Sequence, residues 1–116
     1  MITVKTIALD DYLEKENVDH VDFMKMDIEG AELEVFKQAR RLLGGRSRPV
    51  ILCEVDDYRT KPWGYSAQAI IELLERYGYR WLGLDKNGNL VPFEQRDSYN
   101  VVAIPKEGLA GPLLVR

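Results

Sequence analysis

The sequence predicts an α/β fold, a layered and mostly parallel sheet with flanking helices, and three observations lead there. Stretches of strand length alternate with stretches of helical spacing along most of the chain. The run Pro49 to Val55, PVILCEV, is apolar without alternation and follows a helix that itself follows a strand, the pattern of a βαβ unit with a parallel pair. The composition, 46% apolar and 30% charged in 116 residues, is that of one ordinary folded domain with a single small core.

Taken in order, Met1 to Ile7 reads as a short strand, with Ile2, Val4 and Thr6 on one side and Thr3, Lys5 and Ile7 on the other. Asp10 or Asp11 is placed to cap a short helix over Tyr12 to Glu16, and Asn17 to close it. Val21 to Met26 reads as a strand with apolar residues on both faces, as in a strand covered by helices on both sides. Leu33, Phe36, Ala39, Leu42 and Leu43 recur at helical spacing, so Ala31 to Leu43 is expected to be one helix, stopped by Gly44-Gly45. After the strand Pro49 to Val55, Ser66 is a candidate N-cap for an amphipathic helix over Ala67 to Tyr77, which Gly78 ends. Tyr79 to Leu84 is a strand, and Asp85 to Asn89 is a tight turn because Asn-Gly tolerates positive φ; Asn89 to Phe93 is a return arm or a loop. Tyr99 to Ile104 is the last strand, terminated by Pro105, and the tail from Gly108 carries no signal.

Charge and motif content remove several function classes. A net charge of −3 gives no basis for the counterion-release affinity of nucleic-acid binders. No apolar run approaches the roughly 20 residues that span a bilayer, and the first residues lack the pattern of an export signal, so a cytoplasmic chain without a membrane partner is expected. Cys53 is the only cysteine, which rules out an internal disulfide, and its apolar surroundings suit a buried small hydrophobe. The only histidine, His20, lies in a loop and is not placed to activate it. No Gly-rich phosphate loop, zinc spacing or hydrolase triad is present.

The candidate chemistry lies where open α/β sheets bind ligands, beyond the carboxyl ends of parallel strands. Asp27, Glu29 and Glu32 follow the first such strand, and Glu54, Asp56 and Asp57 follow the second. If those strands are neighbours, their ends lie about 5 Å apart, and the carboxylates can share a cation, a proton or a cationic substrate. Asp27, at the end of a doubly covered strand, is expected to be poorly solvated and therefore paired or functional. Glu29, Glu32 and Glu34 have an alternative role as favourable charges at a helix start. Gly30 either lets backbone approach something closely, a ligand or the next turn of helix, or adopts a conformation closed to other residues. Tyr58, Trp63 and Tyr65 either line a pocket over the strand ends or shield the rim of the core.

The run VKTIALDDYL from Val4, then VDFMKMDIEGAELEVFKQARRLL from Val21, then RPVILCEV from Arg48, resembles the FkbM methyltransferase family, with KMDIEGAE its most specific part and YNVVAIP from Tyr99 similar to the family's closing strand. The resemblance implies a class I, Rossmann-like methyltransferase fold with helices on both faces of a seven-stranded sheet and an antiparallel last strand. It implies transfer of a methyl group from S-adenosylmethionine, generally to a hydroxyl of a small molecule, sugar or lipid. Val21 to Met26, Pro49 to Val55, Tyr79 to Leu84 and Tyr99 to Ile104 would be strands four to seven. Residues 1–116 would then be one partial domain without the N-terminal half that grips the cofactor, with activity belonging to a longer parent. By the same resemblance Asp27, Glu29 and Glu54 line the reaction cleft, Asp27 and Gly30 lie toward the cofactor, and no metal ligand is assigned, although related enzymes that use a divalent cation place carboxylates at these strand ends. A fourth strand without its first-strand neighbour leaves an open edge, which Ile2 to Ile7 is expected to cover unless the chain forms a homodimer there. The alternative function is a noncatalytic module that uses the half-sheet to pair with another chain.

Overall fold

The alternation of strands and helices is present in the computed structural model, which describes residues 3–94 and 98–108. In chain order the elements are α1 (Leu9–Lys15), β1 (Phe23–Met26), α2 (Glu32–Lys37), α3 (Arg40–Gly44), β2 (Val50–Asp56), α4 (Asp57–Thr60), a 3-10 turn (Lys61–Trp63), α5 (Ala67–Arg76), β3 (Tyr79–Leu84), β4 (Leu90–Pro92) and β5 (Ser98–Pro105). Among the described residues no helix is long and apolar enough to cross a membrane.

The five strands form one sheet in the order β1-β2-β5-β3-β4. β1 and β2 are parallel, with Met26 opposite Cys53. β5 is antiparallel to both of its neighbours, with Val101 opposite Cys53 and Ala103 opposite Trp81. The last strand is therefore antiparallel as expected, but the sheet is mixed rather than mostly parallel. Although β1, β2 and β3 point the same way, the reversed β5 separates β2 from β3 and leaves β1–β2 as the one hydrogen-bonded parallel pair among the described residues.

One face of this sheet carries the main core. Leu33, Phe36, Ala39 and Leu43 from α2, α3 and the turn between them, with Ile70, Ile71 and Leu74 from α5, pack with Met26, Ile51, Cys53, Val55, Val101 and Ala103. On the other face Val50, Val102 and Ile104 cluster with Leu52, Leu82 and Leu84, all contributed by strands. The helices of the main core thus cover one face rather than two, and Phe23, which alternates with the core-facing Met24 and Met26, is 56% exposed. The expectation of a doubly covered Val21 to Met26 strand is corrected accordingly.

The segment before α1 also departs from expectation. Thr3 to Ile7 forms no strand and is exposed, with Val4 at 73% and Ile7 at 53%, so it does not cover the β1 edge; Met1 and Ile2 lie outside the described residues. The physical reason is in its pattern: each side of the segment mixes apolar and polar residues, so burial of neither side fixes a pairing register.

The helix expected over Ala31 to Leu43 is two helices. Gln38 and Ala39 donate to the carbonyls three residues back, Val35 and Phe36, at 3.1 and 3.2 Å, and Ala39 leaves helical geometry at φ −115° and ψ 40°. This break frees the amides of Arg41 and Leu42, which donate to the two carboxylate oxygens of Asp10 at 2.8 and 3.1 Å. Asp10 thus caps α3 rather than its own helix, which begins at Leu9. Asn17 closes α1 as expected, at φ 57°, with the Val18 amide bonded to the Leu13 carbonyl at 2.8 Å in a Schellman arrangement. The β3–β4 hairpin confirms the Asp85 to Asn89 turn, where Asp85 Oδ1 accepts from the amides of Asn87 and Asn89 at 2.9 and 2.8 Å.

Candidate active site

Because Met26 stands opposite Cys53, Asp27, just after β1, and Glu54, third from the end of β2, come next along two adjacent parallel strands. The sequence expectation that both acidic groups reach one rim is therefore met by the fold. Asp27 itself is exposed, contrary to the expectation of poor solvation, because no helix among the described residues lies over the second face of β1. It makes no hydrogen bond or ion pair with the described residues.

The chain leaves β1 through a tight turn built on two consecutive left-handed residues, Glu29 at φ 58° and Gly30 at φ 98°. Left-handed geometry is costly for a side chain such as that of Glu29 and persists where the surroundings hold it. Two contacts hold it here. A Cβ added to Gly30 would lie 2.0 Å from the Arg59 carbonyl oxygen, so the turn sits directly against the backbone of α4. The Gly30 carbonyl in turn accepts a hydrogen bond from the Tyr65 hydroxyl. The close approach for which Gly30 is needed is thus to α4. Glu32 closes the turn from the other side: it is buried, and its carboxylate accepts the Ile28 amide at 2.9 Å, a local bond that resembles a capping box.

The acidic groups of the rim share one cation. Arg59 pairs with Glu29 through Nη1, and its Nε lies 3.4 Å from Glu54 and 3.5 Å from Asp56. The charges of Glu29 and then Glu54 raise the guanidinium pKa above its ordinary value. Asp56, on the same strand face as Glu54, also caps α4 by accepting the Tyr58 amide at 2.9 Å, and Asp57 accepts the Ala67 amide at 2.8 Å, which starts α5 beside the Ser66 expected to cap it. Among the described residues no group of three or more His, Cys, Asp or Glu side chains is arranged to hold a metal ion.

Of the residues named from sequence, the fold brings Asp27, Glu29, Gly30 and Glu54 to the same rim, together with Asp56. Tyr58 and Trp63 stand out from it at 86% and 51% exposure, while Tyr65 is drawn against Gly30. Cys53 is buried under the rim, and burial pushes its thiol pKa up, away from nucleophilic use. His20 contacts Asp22. Sequence reasoning missed Arg59; the signal was the acidic run Glu54-Val55-Asp56-Asp57 with an arginine two residues after it, Asp56 and Arg59 being three residues apart.

A family model described as Methyltransferase FkbM domain matches residues 1–81, which include β1, β2, α5 and the whole rim. The chain belongs to the FkbM methyltransferase family. No curated protein and no solved structure matches it. In this FkbM domain the matched residues carry Asp27, which follows β1, and Glu54 of the adjacent parallel strand β2.

Proposed function

We propose that the chain forms the acceptor side of an S-adenosylmethionine-dependent O-methyltransferase, with Asp27 as the base that receives the proton of a small-molecule, sugar or lipid hydroxyl. The observation that carries this reading is the contrast between carboxylates at one rim: Arg59 holds Glu29, Glu54 and Asp56, whereas Asp27 is exposed and unpaired among the described residues. A carboxylate in that state at a parallel strand end is available to accept a proton.

The donor supplies an electrophilic methyl group on a positively charged sulfur. The described residues fit that reactive end, because Asp27 is an open negative charge on the rim. They do not fit the adenosine end, since the space beside Gly30 is taken by the Arg59 backbone and no strand pairs with the outer edge of β1 among the described residues. In this reading residues 1–116 are one unit that supplies the acceptor side of the cleft. The chain's own part is to orient the acceptor hydroxyl and take its proton on Asp27, with Glu29 and Glu54 held by Arg59.

Methyl transfer from labelled S-adenosylmethionine to alcohol acceptors, measured for the longest polypeptide that carries this sequence, tests the reading. Asp27→Asn is expected to lower turnover by about 100-fold or more, the scale of a lost general base. Asp19→Asn, also exposed but away from the rim, is expected to leave it unchanged. Undiminished turnover in Asp27→Asn would overturn the proposal.

A second reading, pairing of two copies or of another chain along β1, is favoured by its outer edge, unpaired among the described residues, and by Phe23, 56% exposed beside it. Light scattering that gives the mass of one chain at micromolar concentration contradicts the homodimer.

A further inference from the structure

We infer that Arg59 is the positioning residue of this site: its side chain and its backbone together lock the Asp27 to Gly30 turn onto the end of β2, and its charge leaves Asp27 as the carboxylate open to reactants. Three observations meet at this one residue. Its guanidinium pairs with Glu29 from the β1 turn and lies 3.4 and 3.5 Å from Glu54 and Asp56 of β2, so a single cation spans both strand ends. Its carbonyl fills the space beside Gly30. The turn it touches contains Glu29 in left-handed geometry, a conformation that reverts unless neighbours enforce it.

Electrostatics gives the same assignment. Without Arg59, Glu29, Glu54 and Asp56 would repel one another across adjacent strands, and the part of the rim least anchored by packing is the exposed Glu29 side chain, 73% accessible. Repulsion would therefore move the β1 turn rather than the buried strand β2, whose Asp56 side chain is 11% accessible. Asp27, two residues before Glu29 in the same turn, would move with it. The positioning role in catalysis rests on the reading of the rim as a methyl-transfer site, whereas the clamp itself does not.

The test uses the full chain labelled with nitrogen-15, with no methyl donor or acceptor present, so its result bears on Arg59 and not on the proposed activity. In Arg59→Ala the amides of Ile28, Glu29 and Gly30 are expected to shift and that of Ile28, bonded to Glu32, to lose about tenfold in exchange protection, while the Cys53 and Val101 amides keep theirs. Guanidinium chloride at tens of millimolar is expected to restore the wild-type shifts, and sodium chloride at the same concentration is not. Arg59→Lys, which keeps the charge, is expected to retain more of the wild-type turn than Arg59→Gln. Should Arg59→Ala not fold, the Lys and Gln pair decides. An unchanged turn in Arg59→Gln, or equal effects of the two salts on a folded Arg59→Ala, would overturn the inference, because a purely packing role is indifferent to which cation is supplied.

Discussion

Replacing Gly30 by alanine would place a Cβ 2.0 Å from the Arg59 carbonyl oxygen and force an alanine into φ 98°, two separate penalties at one position. Gly30→Ala is expected to cost about 2 to 4 kcal/mol, read as a lower urea midpoint at constant slope, because backbone faces the new methyl and cannot swing aside. A loss under about 0.5 kcal/mol would mean that the turn does not rest on α4. The requirement for glycine was legible in the sequence, but its object was not, since Arg59 lies 29 positions away and only the fold makes them neighbours. Asp27 shows the opposite error: its place at a strand end was readable, while its exposure follows from the second face of β1, which no helix among the described residues covers and no local pattern announces. Glu32 lies between these cases, an acidic residue suited to a helix start that turns inward to close the preceding turn.

At the scale of elements, α5, β2, β3 and the Asp85 to Asn89 turn follow from local signals because their periodicity, stop residues and turn chemistry agree, whereas the same signals leave the return arm β4 open between strand and loop. The break between α2 and α3 does not, because the amides it frees are satisfied by Asp10, about 30 residues earlier in the chain. A similar long-range cap operates at the other end of the helix layer. Arg48, with a side chain 6% exposed, donates to the carbonyl of Leu43 at 3.0 Å and to that of Tyr77, and so satisfies the last turns of α3 and α5. It also grips Glu107, just after β5, with two bonds of 3.0 and 2.7 Å and lies over the Tyr79 ring. Arg48, mainly through its hydrogen bond, lowers the Glu107 carboxyl to about 2 from 4.5. The sign follows from linkage: a depressed carboxyl adds stability that is full above its unfolded value and is lost as pH falls toward the folded value. Wild type is therefore expected to lose more stability than Glu107→Gln between about pH 5 and about pH 2 in urea titrations. Equal losses would show that the Arg48–Glu107 bridge is not formed in solution.

For the whole molecule, the family and the α/β class were legible because the KMDIEGAE and RPVILCEV runs carry both a strand end and its chemistry. The mixed character of the sheet was harder to read, since it depends on β5 entering between β2 and β3, a pairing joined across about 50 residues from β2 to β5 that local periodicity does not encode. That insertion leaves β1 and β2 as a parallel pair at one side of the sheet, and it is this pair that delivers Asp27, Glu29, Glu54 and Asp56 to a single rim. Cross-strand nuclear Overhauser contacts in the full chain test the arrangement most directly. Contacts are expected between the backbones of Met26 and Cys53 and between those of Cys53 and Val101, with none joining β2 directly to β3; a β1 detached from β2, or β3 lying beside β2, would contradict the shared rim.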